Sequence, residues 1–256
     1  MNYRVLAIAA HPDDIEFGMA GTLILLSRSG CEIHYMSLAN GSCGTAEYNV
    51  ESIIKIRLQE SIKAAEKIGA VFHPPLVSDL EIYYQPDLIA KLGSIIRNIS
   101  PDILLVPSPD DYMEDHTNTC RLAVTAAFIR GMPNCRVTPP VEPVQKEVTL
   151  YHAQPHGNRD MLNRLVLPDI FVDVGEVLKE KTNMLAVHKS QKEWLDRSQG
   201  FDSYLRAMEG YTREAGKLSE QFEFAEGWRR HNPLGFCAQD ANPLIDILKQ
   251  KTFIRE

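Results

Sequence analysis

Two short stretches of this chain concentrate side chains that ligate metals and move protons. One is His11-Pro-Asp13-Asp14; the other is Ser108-Pro-Asp-Asp-Tyr-Met-Glu-Asp-His116. Two imidazoles and one carboxylate, from His11, Asp14 and His116, form a zinc set of the catalytic kind, with a fourth position left for water. Structural zinc sites instead use four protein ligands and favour thiolates. An H-x-x-D spacing also arises by chance, and Asp13 or Asp14 could cap a following helix while backbone satisfies His11. Two such clusters, each directly after an apolar run, weigh toward chemistry.

For the clusters to meet, two strands must end side by side. Arg4–Ala10 and Asp102–Pro107 read as strands, the first almost wholly apolar, as when both sheet faces are covered. Glu32–Leu38 reads as another, with further strands near Glu147–Tyr151 and Phe171–Val174. Helices are predicted over Gly18–Ser29, Glu51–Ile68, Pro86–Ile99, Thr117–Arg130 and Glu176–Lys189. The clearest, Glu51–Ile68, is amphipathic, with Ile53, Ile54, Leu58, Ile62 and Ala65 on one side and Gly69 as its stop. Ala70–Tyr84 reads as a looser connection. This alternation predicts an α/β fold, a three-layer Rossmann-like sandwich with a mostly parallel sheet. In such sheets polar sites lie beyond the carboxyl ends of the strands, where strand order reverses. The chain reads as one domain over residues 1–256, less regular from about 190. Within that part Ser203–Glu226 could be helical and the last thirty or so residues mostly irregular.

Composition narrows the function. With 256 residues, 44% hydrophobic and 24% charged, the chain can bury a large core without staples. Its net charge of −7, from 34 acidic and 27 basic residues, argues against nucleic acid or an anionic membrane surface as partner. The five cysteines are scattered, odd in number and lack a C-x-x-C pair, which fits reduced thiols in a cytoplasmic protein. No apolar run has membrane length or a signal-peptide layout. Fingerprints for dinucleotides, P-loop phosphates, serine hydrolases and H-E-x-x-H metalloproteases are all missing.

The motifs, taken in order, resemble those of the LmbE/PIG-L family of zinc-dependent N-acetylglucosamine deacetylases. AIAAHPDDIEFGMAGT (7–22) is similar to the family's opening A-H-P-D-D-E. Asn40-Gly41-Ser-Cys-Gly44 resembles its loop after the second strand, and Arg57-Leu-Gln-Glu60 its R-x-x-E helix. Asp111-Tyr-Met-Glu-Asp115-His116 resembles its late H-x-D-H motif. Fainter likenesses are His188-Lys-Ser190-Gln191 to an H-x-S-Q stretch and Ala225-Glu226-Gly-Trp228 to a terminal A-E-x-F segment. The resemblance implies a zinc ion, or another divalent transition metal, held by His11, Asp14 and His116. It further implies that Asp13 is the general base and Arg57 a substrate contact or an orienter of the site. The expected reaction is removal of the N-acetyl group from an N-acetylglucosamine-type sugar or glycoside, giving acetate and an amine.

One departure stands out. The family's late motif has a histidine three residues before the last ligand, with the aspartate at 115 as its partner; here that position is Met113. A thioether has no ionisable proton and is only a weak acceptor. Tyr112, His152, His156 and His188 are the candidate replacements, His188 first as a catalytic group and His152 next as a substrate contact. His34, His73 and His231 read as structural. A different N-acyl substrate, or a metal-retaining binding protein with reduced turnover, is the alternative that Met113 raises. A homo-oligomer through the C-terminal third is left open.

Overall fold

The computed structural model describes residues 3–199 and 203–255. Its centre is one eight-stranded sheet in the order β3-β2-β1-β4-β5-β7-β6-β8. The strands are β1 (Arg4–Ala9), β2 (Glu32–Ser37), β3 (Val71–His73), β4 (Ile103–Val106), β5 (Thr149–Ala153), β6 (Ile170–Asp173), β7 (Ala225–Arg230) and β8 (Thr252–Ile254). β3, β2, β1, β4 and β5 run parallel, while β7 lies antiparallel between β5 and β6, and β8 is antiparallel to β6.

Alternation along β1 divides the interior. Val5, Ala7 and Ala9 belong to one apolar cluster, and Leu6, Ile8 and Ala10 to another on the opposite face. The first cluster takes Leu23 and Leu26 from α2 (Ala20–Arg28); the second takes residues of α4 (Pro86–Ile99) and α5 (Glu114–Phe128). α4 buries Leu88, Leu92, Ile96 and Ile99, the three- and four-residue spacing of one helix face, and Pro86 opens it. Each such side chain contributes roughly 1.5–3 kcal/mol by leaving water.

The remaining helices are α1 (Asp14–Gly18), α3 (Val50–Glu66), α6 (Leu178–Leu185), α7 (Lys189–Gln199), α8 (Ser203–Ser219) and α9 (Pro243–Leu248). Several depart from expectation. The helix expected over Gly18–Ser29 is two helices, because Met19 has φ −134° and breaks the run. The helix over Ser203–Glu226 stops at Ser219, whose hydroxyl accepts the N–H groups of Gln221 and Phe222. Beyond it the chain is not mostly irregular: β7, α9 and β8 complete the sheet's antiparallel half. The fully buried Lys181–Glu226 pair (2.7 Å) pins β7, since Glu226 also accepts N–H bonds from Gly21 and Thr22. Among the described residues no helix is long and apolar enough to cross a membrane.

The important consequence is topological. From β1 the sheet grows through β2 and β3 on one side and through β4 and β5 on the other, so strand order reverses between β1 and β4. Their carboxyl ends open into the crevice where open α/β sheets hold ligands. His11 follows one end and Ser108–His116 follows the other.

Candidate active site

The turn after β1 is tight. The backbone N–H of His11 donates to Asp14 Oδ2 at 2.8 Å, and Asp13 sits in the left-handed region at φ 97°. A non-glycine residue there carries strain of order 1–3 kcal/mol and persists only where its surroundings fix it. Opposite, α5 begins at Glu114, three residues earlier than expected, and so presents His116 from its first turn.

The structure brings His11, Asp14 and His116 together, each offering one ligand atom within 4.8 Å of the others. Asp14 Oδ2 lies 3.6 Å from His11 Nδ1 and 3.4 Å from His116 Nε2. Tetrahedral ligands at zinc bond lengths of ~2.0–2.1 Å are about 3.4 Å apart, so the residues present fit such an ion. The outer nitrogens are held as well. His11 Nε2 lies 3.0 Å from Asp115 Oδ2, and His116 Nδ1 lies 2.8 Å from Asp111 Oδ1. Carboxylates behind both imidazoles are the usual means of fixing a ligand's ring and tautomer. Nothing in the sequence separated Asp111 from its acidic neighbours. Asp115, expected to serve a histidine at position 113, is turned to His11 instead, and also accepts the Leu80 N–H at 2.8 Å.

Electrostatics follow from this packing. Burial by itself would raise the Asp14 carboxyl, but the His116 and His11 imidazoles overcome it and hold it well below the carboxylate range. Burial opposes charge on His11, yet its bonds to Asp115 and Asp14 bring it up to about 9. Asp13 is different. Burial raises its pKa, and the Arg57 guanidinium works against that rise.

Asp13, next to Asp14 in the turn, is held by a buried network of its own. Its Oδ2 accepts the Tyr204 hydroxyl at 2.7 Å and lies 3.3 Å from Arg57 Nη2. Arg57 also donates to the Pro12 carbonyl and is 3% exposed. The loop Asn40–Gly44 wraps it closely: a Cβ on Gly44 would stand 2.1 Å from Arg57 Nη1, and one on Gly41 2.5 Å from its Cδ. Asp79 holds that loop through the N–H groups of Gly41 and Cys43. Glu60, one turn after Arg57, accepts both the N–H and the hydroxyl of Ser190. Thus the R-x-x-E and H-x-S-Q stretches dock on each other, and Arg57 stands beneath the turn rather than in the cleft.

The other sequence candidates are distributed unevenly. Tyr112 is 58% exposed, its ring perpendicular to that of His116 with 5.6 Å between centroids. His188 is not brought to the cleft. It has no exposed surface, and its Nε2 lies 3.2 Å from Glu16 Oε2 because the Ser190–Glu60 contact carries the start of α7 under the turn. His152 is also directed elsewhere. It sits on the β5 face opposite Ala153, against Cys120 and the Pro107 carbonyl, with Nε2 2.9 Å from His231 Nδ1. One step along a strand reverses the face, which is why a position near the right strand end was not enough.

The cleft itself is lined by Asp14, His116, Phe17, Ser108, Gln154, His156 and Tyr211, among others. Tyr204, which anchors Asp13 from 191 residues away in sequence, left no signal that sequence reading could use. A wider groove between α3 and α6, lined by Lys55, Lys63, Lys67 and Lys189, holds no metal-ligating cluster among the described residues.

The chain is similar to known proteins in both sequence and fold. The family model PIG-L, described as GlcNAc-PI de-N-acetylase, matches residues 6–128. The chain is 29% identical over 233 residues to the diacetylchitobiose deacetylase of Thermococcus kodakarensis, covering 88% of this chain and 82% of that one. It is 25% identical over 184 residues to the 4-oxalmesaconate hydratase of Pseudomonas putida, covering 69% of each. In fold it resembles the N,N'-diacetylchitobiose deacetylase of Pyrococcus horikoshii, with TM-score 0.77 and 24% identity, covering 95% of this chain and 89% of the other.

Proposed function

The chain belongs to the PIG-L family of deacetylases, and on that premise we propose that it is a zinc-dependent hydrolase removing the N-acetyl group from an N-acetylglucosamine-type sugar or glycoside. The observation that carries this reading is the meeting of His11, Asp14 and His116 at the β1–β4 crevice, with the strained Asp13 beside them. The residues ligating a single divalent ion are His11, Asp14 and His116. When bound, the ion supplies Lewis-acid polarisation and an acidified water at neutral pH.

The protein's own groups do the rest. Asp13 accepts a proton from the attacking water, its carboxylate aimed by Tyr204 and Arg57. Hydroxide adds to the acyl carbon, the C–N bond breaks, and the proton taken up leaves with the amine. Asp111 and Asp115 keep the two imidazoles in register, while Phe17 and Tyr211 give the cleft an apolar wall. Tyr112 contacts the sugar. The five free cysteines suit a cytoplasmic enzyme acting as one domain.

Amine release from metal-loaded protein, measured over a panel of N-acetylated sugars and other acyl amines, tests this. Release from acetylated glucosamine derivatives, lost on Asp13→Asn, is the expected result. Release only from non-sugar acyl amines would move the substrate class. Water addition to an unsaturated dicarboxylate without any amine, as the similarity to a hydratase allows, would overturn it.

A further inference from the structure

Amide hydrolysis needs a hydrogen-bond donor facing the oxyanion that forms at the acyl carbon, and Met113 provides none. The polar groups lining the cleft can be taken in turn. Ser108 donates its hydroxyl to the Asp110 carbonyl, and Tyr211 donates to that of Gln154. Gln154 spends its amide on the Val166 carbonyl and Asn158. Asp14 and Asp111 are carboxylates, which accept rather than donate: Asp14 takes the His11 backbone N–H and Asp111 holds His116 Nδ1. His156 remains. Its ring nitrogens have no hydrogen-bond partner among the described residues, although the ring lines the same cleft as Asp14 and His116.

His156 is also held in place. Asp111 spans the gap between it and a ligand, binding His116 Nδ1 through Oδ1 and accepting the His156 backbone N–H through Oδ2 at 2.9 Å. Phe17 stacks on the imidazole with centroids 4.7 Å apart, fixing its plane. The ring lies outside the three-residue metal cluster, so it is free to face a substrate.

We propose that His156 is a catalytic residue of this enzyme, its ring N–H donating to the oxyanion of the acyl group. The proposal rests on the deacetylase reading. Its rival is Tyr112, an exposed phenol whose ring is 5.5 Å from that of His156.

The test compares zinc-loaded wild type with His156→Ala, His156→Gln and Tyr112→Phe. For His156→Ala the expected result is a kcat on the order of a hundredfold lower, with KM nearly unchanged and zinc content intact. His156→Gln keeps an N–H donor and recovers part of the loss, and it carries the test if the alanine variant does not fold. Unchanged kcat in either folded variant, loss of zinc, or a larger effect from Tyr112→Phe would overturn the assignment. A second readout does not require turnover: affinity for a methylphosphonamide of glucosamine, which mimics the tetrahedral state. That affinity should fall about a hundredfold on His156→Ala, while affinity for N-acetylglucosamine hardly moves. If wild type releases no amine but the phosphonate discrimination holds, the deacetylase reading fails and the placement of His156 stands. Equal phosphonate binding sinks the placement itself.

Discussion

The hydroxyl of Tyr204 donates to Asp13 Oδ2 at 2.7 Å, tying the proposed general base to α8. With Arg57 at 3.3 Å from the same oxygen, it decides where the carboxylate points. Removing the hydroxyl leaves a buried acceptor short of one partner. A hydrogen bond to a charged group is worth about 1.5–3 kcal/mol, so Tyr204→Phe is expected to lower kcat by roughly 10- to 100-fold. Zinc content and KM stay near wild type. Steady-state kinetics with elemental analysis check this; full activity would mean that Arg57 alone positions Asp13.

Asp111 offers a second test, because it would act on a proposed metal ligand, His116, without being one. Its Oδ1 holds His116 Nδ1 at 2.8 Å. Loss of such an outer carboxylate typically weakens metal binding by about 10- to 100-fold. Asp111→Ala should therefore need far more zinc for half-saturation in a chelator-competition titration. Undiminished affinity would show that the His116 ring is fixed by packing alone.

These residues also mark how far sequence reached. The β1 and β4 strands, their apolar character and the polar residues at their ends were legible, since buried parallel strands have a compositional signature and the site must follow them. So was the α4 helix, over its whole length, from Pro86 and a regular apolar spacing. What escaped notice depends on long-range packing. Tyr204 reaches Asp13 only because α8 packs over α1, and no local pattern encodes that. His152 ranked ahead of His156 at one strand end, but β5 alternation sends the first away and the turn after it brings the second to the cleft. β7 was unreadable as a strand because its Ala-Glu-Gly-Trp-Arg-Arg sequence carries a buried glutamate that needs Lys181 and two helix N–H groups to be tolerated.

His152 predicts a pH effect on stability rather than on rate. Burial, with the cationic Arg229 nearby and only the Pro107 carbonyl opposing, lowers its pKa from 6.5 to about 4. The unfolded chain then binds a proton that the folded one refuses between those values. Stability from this group is full above pH 6.5 and is lost as pH falls toward 4. The loss is about 2–3 kcal/mol at pH 4.5. His152→Asn keeps a donor to the Pro107 carbonyl but cannot titrate. Thermal melts should show a smaller fall in Tm from pH 7 to pH 4.5 in this variant than in wild type. Equal slopes would refute the burial argument.

The last prediction concerns two glycines in different surroundings. A Cβ on Gly44 would meet Arg57 Nη1 at 2.1 Å and Gln191 Oε1 at 3.1 Å. Arg57 cannot simply swing aside, because the Pro12 carbonyl and Asp13 hold its guanidinium. Overpacking of this kind costs about 1–3 kcal/mol, and here it also displaces the support of the proposed general base. Gly44→Ala should therefore lower both Tm and kcat. Gly210 lies within α8, where a Cβ meets nothing within 4 Å. Gly210→Ala should gain roughly 0.5–1 kcal/mol from helix propensity, raising Tm by a few degrees. Melting curves and amine-release rates for the pair separate the two effects. Wild-type kcat in Gly44→Ala would mean the loop yields without moving Arg57, and the link from the Asn40–Gly44 turn to Asp13 would be lost.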